Sequence, residues 1–239
     1  MTSTLMHRVF APLRRVLPPS LANGLRSTVT AFLTPIYFSY LSGHFLSSYR
    51  MAAVTRKFRP LPWYTYPCID FVKSQDFTGR RILEFGGGQS TLFWSEHAAS
   101  VVTFEGDASW FQSLKRKIAG NVDLHLVSLE TPEKTCQEIR RVLEARAAGK
   151  FDVVIIDGLF RPEMIPIALE HLAPDGMLIC DDSEGYDIFE SLQGSGLMRV
   201  DFCGHQPGVL LPHSTSIYFG PQCRFTGNTR PIMVDRGGC

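Results

Sequence analysis

Residues 82–94 read ILEFGGGQSTLFW. An acid nearly closes an apolar run, three glycines follow, and then a polar pair opens a second apolar stretch. Glycine after a buried strand permits a tight turn and lets backbone approach a ligand with no Cβ in the way. A helix beginning there offers free N–H groups to a carboxylate or phosphate. Further acids end other apolar runs: Glu105 after VVTF, Asp157 after VVII, and Asp181-Asp182 after MLIC. Carboxylates gathered at one cleft repel unless a cation lies between them, and oxygen-only ligands suit Mg2+. His205 and His213 flank a Gly/Pro-containing loop near the end of the chain, and either could take a proton from a hydroxyl.

The elements that must position these groups alternate. Strands are expected at Arg81–Phe85, Val101–Glu105, Val122–Leu129, Phe151–Ile156 and Gly176–Cys180. Helices are expected at Ser90–Ala98, Ala108–Ala119, Thr131–Ala148, Pro162–Leu172 and Glu184–Leu192, with a short one at Ile69–Ser74. The Thr131 helix carries its own punctuation: Thr as cap, Pro132 at the first position, acids early, Gly149 as stop. Two late strands, Leu197–Phe202 and Thr215–Phe219, follow the last helix. Continuous apolar strands in a βαβ rhythm predict an α/β fold: a doubly wound, mostly parallel seven-stranded sheet with an antiparallel edge hairpin, preceded by an N-terminal helical arm. The expected division is an arm over 1–59, a ligand-binding domain over 60–220 and a tail over 221–239.

With 239 residues, 44% apolar and 20% charged, the chain suits one α/β domain plus an appendage. The net charge of +1 gives no reason to expect a nucleic-acid partner. Its distribution is uneven. Residues 1–69 hold eight cations (Arg8, Arg14, Arg15, Arg26, Arg50, Arg56, Lys57, Arg59) and no acid; the other 16 of 24 cations accompany all 23 acids, net −7. A basic arm on an acidic body suggests a partner for the arm, whether a membrane, an anionic ligand or the body itself; a helical cap packed on the domain is the first expectation, and peripheral membrane contact through an interfacial helix is another. Ser27 to Tyr49 is uncharged, but Pro35, Gly43, His44 and eight Ser/Thr argue against a spanning helix. Six cysteines without a CxxC read as free thiols in a reducing, cytoplasmic setting rather than a zinc site.

Three readings of the glycine turn compete. A phosphate-binding loop of the GxxxxGK(S/T) kind is absent. A dinucleotide GxGxxG is met by Gly86 and Gly88 but has Thr91 in its third place, which disfavours an NAD-dependent oxidoreductase. The third reading rests on order and spacing. Glu84-Phe85-Gly86-Gly87-Gly88-Gln89-Ser90, then Glu105 19 residues after Gly86, then Asp157 closing FDVVIID, then LAPDGMLICDD, together resemble the class I S-adenosylmethionine-dependent methyltransferases over about residues 60–220. Ser90 stands where that motif's last glycine is expected.

The resemblance implies S-adenosylmethionine as cofactor, held by Glu84, Gly86, Gly87, Gly88, Ser90, Thr91, Glu105 and Asp157, with Glu105 accepting from both ribose hydroxyls. The segment before the motif often folds over the cofactor in this family, which makes the aromatics Trp63, Tyr64 and Tyr66 candidates to shield the sulfonium. Some O-methyltransferases of the family bind Mg2+ at the ends of strands four and five, making Asp157, Asp181 and Asp182 candidate ligands for an ion that would orient a substrate hydroxyl. Asp157 and His205 are the candidate catalytic groups. No NPPY-type motif is present, which disfavours amino methylation of nucleic-acid bases or glutamine, and the Asp181-Asp182 pair favours an oxygen of a small molecule or sugar as acceptor. A non-catalytic adaptor with this fold is the remaining alternative.

Overall fold

In the computed structural model, residues 11–12, 16–158 and 160–223 are described. Arg8, Arg14, Arg15 and the tail beyond residue 223 therefore lie outside the described residues. Among the described residues, the named elements begin with the helices α1 (Pro19–Ser42) and α2 (His44–Arg50), followed by α3 (Tyr66–Lys73). Then come β1 (Arg81–Phe85), α4 (Gln89–His97), β2 (Ser100–Glu105), α5 (Ala108–Lys115), β3 (Val122–Leu126), α6 (Pro132–Ala145), β4 (Phe151–Ile156), α7 (Arg161–His171) and β5 (Leu172–Cys180). The short α8 (Ile188–Leu192) and strands β6 (Met198–His205) and β7 (Pro212–Phe219) complete the fold.

The seven strands lie in the order β3-β2-β1-β4-β5-β7-β6. The first five are parallel, and β7 runs antiparallel to both β5 and β6. Strand order reverses between β1 and β4, and ligands of such sheets bind at that switch, outside the carboxyl ends of the strands.

Apolar runs make buried strands because both sheet faces are covered. Side chains alternate between two cores: Leu83, Val154, Ile156 and Leu178 pack on one face, Ile82, Val153, Ile155 and Met177 on the other. Helix starts follow local chemistry. Thr131 Oγ1 accepts from Lys134 N–H at 3.3 Å to cap α6, and Asp107 Oδ1 accepts from Trp110 N–H at 2.7 Å to cap α5.

Some expected boundaries shift, for tertiary reasons. The strand expected over Val122–Leu129 stops at Leu126, and Leu129 turns in over Gly106. The helix expected over Glu184–Leu192 covers only Ile188–Leu192. Ser183 N–H is committed to Ser214 O at 3.0 Å, and Glu184 Oε2 to Ser214 N–H at 3.0 Å, so this stretch is tied to β7 instead. The five cysteines at 68, 136, 180, 203 and 223 are free.

Candidate active site

The glycine turn connects β1 to α4. Gly86 has φ +101°, a conformation that L side chains rarely adopt. A Cβ there would lie 2.6 Å from the Gly158 Cα, and one on Gly158 would lie 2.8 Å from the Gly86 Cα. The turns after β1 and β4 thus touch backbone to backbone, and both positions need glycine. A Cβ on Gly88 meets nothing nearer than Trp110 Nε1 at 3.7 Å, so the space above that residue is open.

Above the turn lies a cavity of about 360 Å³, lined by Gly86–Ser90, Glu105, Gly106, Trp110, Asp157, Gly158 and Arg161, with an apolar wall that includes Phe104, Val127, Leu129 and Ile139. Trp63 closes one side, its indole N–H donating to Pro207 O at 3.0 Å. Trp110 Nε1–H donates to Gly87 O at 2.7 Å, which fixes the ring over the turn.

Glu105 at the end of β2 meets the turn directly. Its Oε2 accepts from Gly87 N–H at 2.9 Å, and its Oε1 from Gly106 N–H at 2.8 Å and Asp107 N–H at 2.7 Å. Backbone donors therefore hold the carboxylate at the cavity's edge, and its remaining lone pairs can accept from a ligand.

Glu84 and Thr91, expected to touch the cofactor, instead lie beneath the turn. Both are buried, and neither lines the cavity. Glu84 Oε2 accepts from Thr91 Oγ1–H at 2.5 Å and Thr103 Oγ1–H at 2.9 Å, while Thr91 Oγ1 accepts from Gly88 N–H at 2.9 Å. These two residues set the turn rather than the ligand. Burial pushes the Glu84 carboxyl up to about 7, against hydrogen bonds from Ser90, Thr91 and Thr103 that favour its charged form. Tyr64 is likewise a correction: it is wholly buried, its hydroxyl accepting from Trp94 Nε1–H at 3.3 Å, and its neighbour Trp63 is the aromatic that reaches the cavity.

The acids after β4 and β5 are brought together, and the cation among them belongs to the chain. Arg161 Nη2 lies 3.2 Å from Asp157 Oδ1 and 3.6 Å from Asp182 Oδ2. Its Nε is buried with no hydrogen-bond partner among the described residues. Asp181 is buried and already engaged. It accepts from Thr215 Oγ1–H at 2.7 Å and Gln206 Nε2–H at 3.2 Å, and Thr215 Oγ1 in turn accepts from Thr65 N–H at 2.9 Å. Asp181 thereby pins the aromatic connector to β7. Asp157, Asp181 and Asp182 do not fit a Mg2+ site, because a guanidinium occupies the place between two of them and the third is spoken for. Burial raises the Asp157 carboxyl above its ordinary range, opposed by Arg161. Asp181 is raised too, by burial and by its two neighbouring aspartates.

His205 ends β6, exposed, with its ring 6.3 Å from that of His44, and it does not line the cavity. His213 starts β7 and faces Glu184 Oε1 at 2.9 Å and Asp182 Oδ1 at 3.3 Å through Nδ1. Asp182, Glu184 and His213 are the one set among the described residues with three potential metal-binding atoms within 4.8 Å of one another, and their nitrogen–oxygen contacts are already ion-pair distances.

Arg161, Trp110, Gly106 and Gly158 line the candidate site and were missed by sequence reasoning. Arg161 left one signal, its spacing of four residues from Asp157.

The fold is a doubly wound, mostly parallel sheet with an antiparallel strand inserted before its edge. No protein-family description matches the chain, and no curated protein does. Among solved structures it is similar to precorrin-6y C5,15-methyltransferase from Geobacter metallireducens, with 17% identity, TM-score 0.48, and coverage of 64% of this chain and 86% of that one. It is also similar to precorrin 8w decarboxylase from Methanobacterium thermoautotrophicum, with 14% identity, TM-score 0.46, and coverage of 70% and 96%. A third likeness is to the tRNA (m1A58) methyltransferase TrmI of Aquifex aeolicus, with 15% identity, TM-score 0.43, and coverage of 66% and 70%. Identities and scores this low assign neither substrate nor reaction.

Proposed function

We propose that the protein is an S-adenosylmethionine-dependent methyltransferase that methylates an oxygen of a small molecule or sugar. The observation that carries this reading is the joined pair of elements under one cavity: a glycine turn whose Gly86 admits no side chain and whose Gly88 leaves open space for a ligand, and a Glu105 carboxylate held at its rim by three backbone amides.

The residues present fit the cofactor. The wall of Phe104, Val127, Leu129 and Ile139 suits an adenine ring, Glu105 suits the ribose hydroxyls, and the open backbone of Gly86–Ser90 suits the amino-acid end. The cofactor supplies an electrophilic methyl group on a sulfonium. The chain's own residues align and exclude water. Trp63 contributes an aromatic wall to the same cavity as Asp157. Arg161 lines the cavity, and its guanidinium carries positive charge toward an oxygen of a bound molecule. Asp157, with its affinity for a proton raised by burial, is placed to accept one from an acceptor hydroxyl. Oxygen transfer is favoured because the groups beyond Asp157 are hydrogen-bonding and ionic: Arg161, Asp182, Glu184 and His213.

Calorimetric titration with S-adenosylhomocysteine, with NAD as parallel ligand, tests the reading. Micromolar binding of the homocysteine compound alone, weakened at least about tenfold by Glu105→Ala, is the expected result. Binding of NAD instead, or of neither ligand, would overturn it.

A further inference from the structure

The arm presents a second feature, independent of the cavity. Helix α1 runs 24 residues, yet only Ala22 and Ser42 of it are buried. Leu21, Leu25, Val29, Phe32, Ile36 and Tyr40 recur at intervals of four, four, three, four and four residues. That period lays them along one face. Phe32 is 71% and Ile36 66% exposed. Asn23, Ser27, Thr30, Ala31 and Thr34 take the opposite face and are exposed as well, and a Cβ added to Gly24 would meet nothing within 4 Å. Among the described residues, no element covers either side there.

The C-terminal end of α1 is held firmly. Phe38 packs edge-on against Tyr66 at 5.2 Å between ring centres. Gly43 ends the helix with φ +78°, and a Cβ there would lie 2.6 Å from Val54 O. Ser47 Oγ donates to Val54 O at 2.9 Å, and Gly208 N–H donates to His44 Nδ1 at 3.2 Å. The apolar stripe is thus presented by a fixed mount rather than by a loose end.

Charge selects what the stripe meets. Arg26 and Arg50 are exposed; Arg50 lies 4.6 Å over the Phe58 ring and Arg56 5.0 Å over the Tyr40 ring. Tyr37, Tyr40 and Tyr49 stand exposed in the same region, beside Phe45 and Met51. Tyrosines with arginines at the edge of an apolar face are the composition of a membrane–water boundary, where rings sit at headgroup level and guanidinium groups reach phosphates. The acid-free arm would be drawn to an anionic surface, and the remainder of the chain, net −7, would be held away from it. No described helix is long and apolar enough to cross a membrane, so the helix would lie in the surface.

We infer that α1 and the Phe45–Phe58 segment dock the protein on an anionic lipid surface, with the Leu21–Tyr40 stripe buried among headgroups and acyl chains. Vesicle flotation of the full chain tests this, using phosphatidylcholine with and without phosphatidylglycerol. Phosphatidylglycerol should strengthen binding by about tenfold or more, and added salt should reverse the gain. Phe32→Asp with Ile36→Asp should reduce flotation at least about tenfold while leaving the melting temperature and S-adenosylhomocysteine binding unchanged. Arg26→Glu with Arg50→Glu should remove the preference for phosphatidylglycerol. Equal binding to neutral vesicles, or no flotation at all, would overturn the inference. So would self-association in lipid-free solution that the Phe32/Ile36 double variant abolishes, because the stripe would then be an interface between copies.

Discussion

Arg161 Nη2, from the first position of α7, stands 3.2 Å from Oδ1 of Asp157, which directly follows β4. The same guanidinium reaches Asp182 at 3.6 Å, so one side chain neutralises acids from the ends of two strands. It also lines the cavity. Removing it leaves carboxylates facing each other without a cation. Arg161→Met should cost about 3 kcal/mol of stability, discounted from the upper range because Asp182 is partly exposed. Mg2+ should restore part of that loss in the variant and leave the wild type unmoved, in thermal melts with and without the ion. Equal Mg2+ stabilisation of both proteins would contradict the assignment of Arg161 as the resident cation.

Gly86 and Gly88 separate folding from binding. Gly86→Ala forces a side chain into a φ +101° backbone and against Gly158, and should cost about 3 kcal/mol or more. Gly88→Ala meets open space and an extended φ of −178°, so stability should change by less than about 1 kcal/mol. Its methyl would intrude on ligand approach, and S-adenosylhomocysteine binding should weaken. Denaturant unfolding and calorimetry of the two variants give the comparison.

Glu105 contributes to the turn as well as to a ligand. Glu105→Gln keeps the shape but turns one acceptor oxygen into a donor facing backbone N–H groups. Loss of a charged acceptor should cost about 2 kcal/mol of ligand binding, roughly thirtyfold in Kd. Binding within a factor of about two of wild type would remove Glu105 from the ligand site.

The Glu84 carboxyl makes stability depend on pH. Its pKa rises from 4.5 to about 7 on folding, so between those values the native state binds the extra proton. Stability from this group is fully present below pH 4.5 and is lost as pH rises through about 7. The loss is on the order of 3 kcal/mol. Glu84→Gln cannot ionise, and its difference from wild type should therefore shift in the variant's favour between about pH 5 and pH 8. Urea titrations of both proteins across that range measure the difference directly. A difference that stays constant would show that Glu84 keeps its ordinary affinity for protons.

Much of the scaffold is legible in the residues alone. Continuous apolar runs such as FDVVII specify strands covered on both faces, and Thr131-Pro132 specifies where α6 begins. These are local signals, and the seven-stranded sheet with its antiparallel edge follows from them. The glycine turn and Glu105 are legible for the same reason, since both need only a strand end and a residue type.

The surroundings of a side chain at a strand end depend on elements distant in sequence. Asp181 is one of two adjacent aspartates, and only the arrival of Thr215 and Gln206 makes it a structural pin while Asp182 stays near Arg161. Tyr64 and Trp63 are neighbours, yet one fills the core and the other reaches the cavity, because the connector's direction is set by Thr65 pairing with Thr215 and Phe202. His205 carries the right chemistry but stands beside His44, outside the cavity lining. Residue types and their local order are enough to specify the strands, the turn that must be glycine and the acids at the strand ends. Which acids meet a cation, which are buried under the turn, and that the apolar face of α1 stays uncovered are matters of packing, because each depends on contacts made across the sheet rather than along the chain.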